Sequence, residues 1–143
     1  MTVLLISVVV VLAAVGFHYE FLLITATLVQ RLPGPRRLRV AVAIVLIVGA
    51  HLIEVLVFGV GWWWCIRSGE PVLSLADPDI FDLFYFSGAV YTSLGFGDIV
   101  PVGNGRGLAI AEGVTGLVLI AWTASFTYFE MSASWAFEKR ERP

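Results

Sequence analysis

Three long apolar stretches run along this chain, separated by short polar segments, and a fourth, much shorter one lies between the second and the third. The first extends from Val3 to about Val29 and is interrupted only by His18 and Glu20. No basic residue precedes it, it is too long for the apolar region of a signal peptide, and no small-x-small cleavage site follows, so it reads as a retained helix over residues 1–30. The segment "RLPGPRRLR", residues 31–39, holds two prolines, a glycine and Arg31, Arg36, Arg37 and Arg39, which predicts a tight polar turn. A second run, residues 40–66, ends in Trp62, Trp63 and Trp64, whose amphipathic rings favour the headgroup level. After a loop, the stretch from Ile80 to about Tyr91 is too short to cross ~30 Å of hydrocarbon at ~1.5 Å per residue, and predicts a re-entrant or interfacial helix. A full-length span returns over residues 106–131, followed by Trp135, Phe137 and the basic tail "EKRERP".

Composition sharpens this pattern. Hydrophobic residues make up 59% of the chain, charged residues only 14%, and the mean hydropathy is +0.90, which places the chain among integral membrane proteins. With 143 residues there is room for three or four spans and no separate soluble domain. The net charge of −2 is too small to suggest nucleic-acid binding. The single cysteine, Cys65, excludes an intrachain disulfide and a cysteine metal cluster and reads as a packing residue. Seven of the nine Arg and Lys residues lie in the 31–39 turn and the 132–143 tail, so both are expected on the cytoplasmic side, with the N-terminus outside. Glu70, Asp77, Asp79, Asp82 and Asp98 then lie externally, where they can concentrate cations or simply be solvated. No internal repeat is visible.

Between the short apolar stretch and the last span stands "TSLGFGDIV", residues 92–100, which is neither a good helix nor a good strand. Irregular backbone at membrane depth is tolerated only where it is buried in protein or lines a water-filled path. A short helix, a glycine-rich segment and a long apolar helix, in that order, resemble the pore module of the potassium channel family. The family's filter pattern is Thr-Val-Gly-Tyr-Gly-Asp, and this chain reads Ser93, Leu94, Gly95, Phe96, Gly97, Asp98, followed by "P-x-G-x-G-R". The resemblance covers residues 40–131, nearly two thirds of the chain, and leaves the first helix outside it.

The chemistry of such a filter needs rings of carbonyl oxygens facing one axis, and glycines at 95 and 97 permit the dihedrals that turn successive carbonyls the same way. One segment per chain implies a homotetramer, with potassium ions held by the Ser93 hydroxyl and the carbonyls of residues 93–96. The resemblance assigns residues 78–92 to a pore helix, beginning with Asp77 as N-cap and Pro78 as first residue, and residues 93–98 to the filter. The helix's negative end would face a cation below the filter. Ser93 keeps the hydroxyl of the family threonine without its methyl group, and Leu94 replaces valine. Phe96 replaces a tyrosine whose hydroxyl the family holds with a tryptophan, and Phe86 stands at that tryptophan's position, so an apolar Phe96–Phe86 contact is expected instead. Tyr85, where the family has another tryptophan, can still donate to Asp98. Thr92 and Glu112 complete the expected filter support, Glu112 as a buried partner of the pore-helix region. Gly116 falls where family members often carry a hinge glycine, though it equally suits close helix packing.

Four ionisable residues interrupt otherwise apolar spans: His18, Glu20, His51 and Glu54. Counted from the turn, the two pairs lie at nearly the same depth and can meet. His51 and Glu54 share a helix face, whereas His18 and Glu20 point about 200° apart, so only one of the latter is expected to reach the second helix. The cluster can pin the first helix to the pore module, sense protons, or hold zinc or another divalent metal with a further ligand from water or a second subunit.

The organisation expected is an all-α membrane protein with three transmembrane helices, a re-entrant pore helix and a filter loop, assembled as a tetramer in a plasma membrane of prokaryotic type. It is expected to conduct potassium passively, to have lipids, monovalent cations and its own copies as partners, to need no cofactor beyond the conducted ions, and not to be an enzyme. Two other readings fit part of the pattern. One is a poorly selective cation channel or a non-conducting channel-like subunit, since three of the six filter residues depart from the family. The other is an intramembrane aspartyl protease of the GxGD type, which would need a second aspartate inside a long span, where this chain has none.

Overall fold

The computed structural model describes residues 1–138, and at residues 130 and 133–138 it describes the backbone alone. Four helices follow one another: α1 (Thr2–Arg31), α2 (Arg36–Arg67), α3 (Ile80–Tyr91) and α4 (Gly105–Glu138). No strand occurs among the described residues; an isolated antiparallel bridge joins Leu73 to Pro101. Three helices are long and apolar enough to cross a membrane: α1, α2 and the Gly105–Phe129 part of α4.

The break between α1 and α2 is shorter than the nine-residue turn expected from the sequence. Only residues 32–35 leave the helices, with Pro35 at the N-cap of α2 and Arg36, Arg37 and Arg39 already helical. Proline fixes its own dihedral and hinders the residue before it, but the arginines that follow are good helix formers. At the other end α4 continues to Glu138 instead of stopping near 131, since no Gly or Pro interrupts residues 132–138. The rest of the basic tail, residues 139–143, lies outside the described residues.

Buried positions on α1 are Val3, Ser7, Val10, Ala14, His18, Leu22, Thr25 and Val29, a three- and four-residue spacing that gives one stripe. The other faces are equally apolar and stay exposed, among them Leu4, Leu5, Leu12, Leu23 and Ile24. Such a surface is unfavourable in water and suits lipid. On α2 the inward stripe is Glu54, Phe58, Trp62 and Cys65, all fully buried. Trp63 and Trp64 remain exposed at 46% and 59%, so two of the three adjacent tryptophans have the surface position expected and Trp62 does not. Successive helical residues point about 100° apart, and only one of the three can face the bundle.

Small residues set the closest approaches. A Cβ at Gly61 would come within 2.8 Å of a Val10 methyl, and one at Gly105 would lie 2.3 Å from the carbonyl oxygen of Val72. The loop before α3 and the segment after residue 98 are tied together, with Ser74 N donating to Val100 O (2.9 Å) and Val102 N to Val72 O (2.9 Å).

Candidate functional site

Helix α3 starts two residues later than the sequence suggests. Its N-cap is Asp79, whose Oδ1 accepts from the amides of Phe81 (2.7 Å) and Asp82 (2.9 Å), while Asp82 Oδ2 accepts from the Asp79 amide (3.0 Å). This reciprocal capping box needs acceptors three residues apart, which Asp79 and Asp82 supply and which Asp77, followed by the non-helical Pro78, does not. At twelve residues, α3 is too short to span.

The chain does not leave α3 freely. Thr92 N and Thr92 Oγ1 both donate to Gly88 O (3.1 and 2.7 Å), Ser93 N to Val90 O (2.9 Å) and Gly95 N to Ala89 O (3.1 Å). Backbone φ is then positive at Ser93 (59°), Gly95 (54°) and Gly97 (84°), and not at Leu94 or Phe96. An ordinary extended strand points successive carbonyls to opposite sides. Positive φ at every second residue departs from that pattern. Glycine adopts the left-handed region freely and serine does so at a cost. Ser93 is the one non-glycine with positive φ among the described residues. Leu94 and Phe96 point outward, 65% and 64% exposed in the single chain.

The Tyr85 hydroxyl is the main cause holding the Asp98 carboxyl below its ordinary value. The expected Phe96–Phe86 contact is not made within the chain. Phe96 instead stacks on Tyr85, with ring centroids 5.9 Å apart and planes 10° from parallel, and Phe86 meets Trp62 edge-on at 4.9 Å. Phe86 lies on the buried face of α3 with Leu83 and Ser87, whereas Tyr85 is turned about 100° away toward the segment that follows the helix.

Behind this segment sits a polar core. Glu112 of α4 is fully buried; its Oε2 accepts from Trp62 Nε1 (2.7 Å) and its Oε1 from Ser87 Oγ (2.5 Å), and Ser87 Oγ also lies 2.8 Å from Val55 O. Three helices therefore meet at one carboxyl group. Glu112 is where the sequence placed it, as a buried partner of the short helix, while Trp62 and Ser87 were not foreseen. The face defined by Glu54, Phe58 and Cys65 would have pointed to Trp62. Gly116, one turn further along α4, faces the end of α3: a Cβ there would fall 2.1 Å from Tyr91 O.

A second polar cluster joins all four helices. His18 Nδ1 of α1 lies 2.8 Å from Glu54 Oε1, and His51 Nδ1 lies 2.9 Å from Glu54 Oε2 and 2.9 Å from Tyr91 Oη. Tyr91 Oη donates to Glu54 Oε2. Thr123 Oγ1 of α4 stands 3.1 Å from His51 Nε2 and 3.4 Å from His18 Nε2. Glu20 is exposed on the opposite side of α1 and takes no part, as its angular distance from His18 requires.

Residues 50–131, which is 82 of the 143 residues, match the family described as "Ion channel". The chain belongs to that ion channel family. With three apolar helices of spanning length, it is a multi-pass membrane protein. Among curated proteins it is similar to Protein LctB of Bacillus caldotenax, 41% identical over 49 residues, and to Protein LctB of Geobacillus stearothermophilus, 43% identical over 49 residues. The matched segment is 34% of this chain and 37% of each relative, so the chain spans little more than a third of those relatives' length. No solved structure matches the chain significantly. The matched region begins at Ala50 and ends at Met131, so it takes in α3, the segment after it and most of α2 and α4, and leaves out α1.

Proposed function

We propose that this ion channel conducts potassium, as a homotetramer in which residues 93–98 of four copies line the ion path. The observation that carries the reading is the alternation of positive φ at Ser93, Gly95 and Gly97, directly after a helix too short to span. A dehydrated cation needs several oxygen ligands at close quarters, and backbone carbonyls turned to one side supply them only when several copies surround an axis. In this reading α3 is a re-entrant pore helix, its C-terminal carbonyl end aimed at the membrane interior, where its partial negative charge favours a cation. The Ser93 hydroxyl and the carbonyls of residues 93–96 hold potassium ions. Asp98, whose carboxyl Tyr85 holds below its ordinary value, marks the external mouth. Thr92 ties the segment to the end of α3, and the Trp62–Glu112–Ser87 core fixes α3 between α2 and α4.

Orientation follows from the basic residues: the 32–35 turn flanked by Arg31, Arg36 and Arg37 lies inside, the N-terminus outside. The protein belongs to the cell membrane in this account. Membership of an ion channel family, together with the lack of any aspartate within the three spans, weighs against an intramembrane protease. The outward exposure of Leu94 and Phe96 in one chain also favours assembly, because each is an apolar side chain still about two thirds exposed, Phe96 at 64% even with Tyr85 stacked on one ring face.

The test is potassium and sodium flux in liposomes containing the purified chain. The reading expects potassium flux well above sodium flux and its loss in Gly95→Ala, since a Cβ at φ 54° opposes the left-handed conformation. Equal fluxes of the two ions, or an unchanged ratio in the variant, would contradict it.

A further inference from the structure

We propose that His18, His51 and Glu54, with Tyr91 at the fourth position, form an intramembrane site for one zinc-type divalent metal ion that clamps α1 to the rest of the channel. The ligand atoms of the two histidines and the glutamate lie within 4.8 Å of one another. A tetrahedral site with bonds of about 2.0 Å sets its ligand atoms about 3.3 Å apart, so the pairs in contact at 2.8 and 2.9 Å open slightly around the ion and the most distant pair draws in by at most about 1.5 Å. Two imidazole nitrogens and two oxygens are a zinc-type donor set, and imidazole disfavours magnesium and calcium.

The hydrogen-bond count around Thr123 is an independent indication. A carboxylate only accepts, so without a metal both Nδ1 atoms carry the hydrogens that meet Glu54, and both Nε2 atoms are bare acceptors facing Thr123 Oγ1. A hydroxyl has one hydrogen and can satisfy one of them. With the metal on both Nδ1 atoms, each ring carries its hydrogen on Nε2, and the two lone pairs of Thr123 Oγ1 accept both. That is the arrangement by which an outer partner orients metal-bound histidines. One imidazolium in place of the metal also completes the count, and it is the rival state.

Charge favours the ion as well. Glu54 is fully buried, and His18 and His51 are the cationic-capable groups within ion-pair distance of it among the described residues. A buried carboxylate in an apolar bundle requires compensation. A divalent ion with the Glu54 carboxylate and the Tyr91 phenolate makes a neutral site, the phenolic proton leaving to water. Because Tyr91 ends α3 two residues before Ser93, the ion would tie α1 to the segment proposed to conduct; this consequence rests on the conduction reading, whereas the site itself does not.

The test uses the full chain, purified in detergent micelles after chelation and then titrated with zinc or cobalt. Expected results are about one metal per chain, the intense visible bands of tetrahedral cobalt, and a raised Tm. His18→Ala should abolish stoichiometric binding, and Thr123→Val should weaken it about 10- to 100-fold. Thr123→Val preserves shape, so it decides the question even where His18→Ala does not fold. A folded wild-type chain that takes up no stoichiometric metal would overturn the proposal and leave the imidazolium network. Binding of equal strength in both variants would overturn it too, by placing the metal elsewhere. Neither readout depends on conduction.

Discussion

Gly116 of α4 lies directly against the main-chain oxygen of Tyr91, the last residue of α3, so closely that a Cβ would sit 2.1 Å from that oxygen. No real Cβ tolerates this distance, and the backbone at either side would have to move. Gly116→Ala is therefore expected to destabilise the chain by about 1–3 kcal/mol, as overpacking does elsewhere. Gly107→Ala, where nothing lies within 4 Å, is the control and should be neutral or stabilising by up to about 1 kcal/mol from helix propensity. Thermal unfolding in detergent compares the two. Equal effects would show that the contact does not constrain α4.

Trp62, Ser87 and Glu112 form a buried unit whose members depend on one another. Removing the acceptor with Glu112→Ala leaves Trp62 Nε1 without a partner, at a cost of roughly 1–3 kcal/mol for the unsatisfied group, while Ser87 Oγ keeps Val55 O. In a double-mutant cycle with Trp62→Phe, the second substitution should cost less when Glu112 is already absent. Strictly additive losses would mean that the two side chains do not share a bond.

At the exposed end of the segment, Tyr85 holds the Asp98 carboxyl below its ordinary value of 3.8. A carboxyl lowered on folding contributes stability that is present above its unfolded value and is lost as pH falls through the folded one. Tyr85→Phe should raise the Asp98 titration toward 3.8 and remove this group's share of the acid-induced loosening of residues 92–98. Carbon NMR of the Asp98 carboxyl reads this directly. An unaltered titration would show that Tyr85 is not its partner.

Much of this architecture is legible in the residues. Three apolar runs of spanning length become three helices because a run that is greasy on every side has one stable environment, and the shortness of Ile80–Tyr91 follows from counting. Gly95 and Gly97 announce positive φ by their identity. Ser93 does not, since nothing in a serine says that its neighbours will force it into the left-handed region. The meeting of His18 with Glu54 follows from equal depth, and the exclusion of Glu20 from its angle on α1. Tyr91 and Thr123 were invisible partners, because depth along α3 and α4 is readable while their rotation about the helix axis is not. The same limit explains Phe96. The family resemblance suggested Phe86 as its neighbour, but the face of α3 that carries Phe86 turns to Trp62, and Tyr85 takes the contact within the chain. The start of α3 was misplaced because Pro78 has an aspartate on each side, and the acceptor at Asp82, three residues after Asp79, is what chooses between them.

The most direct measurement of the central claim is the reversal potential of currents through the purified wild-type chain in planar bilayers with potassium on one side and sodium on the other. The account predicts a reversal potential displaced strongly toward the potassium equilibrium value, with that displacement gone in Gly95→Ala. A reversal potential near zero in the wild-type chain, or one unchanged by Gly95→Ala, would contradict the assignment of residues 93–98 as the potassium-selective path.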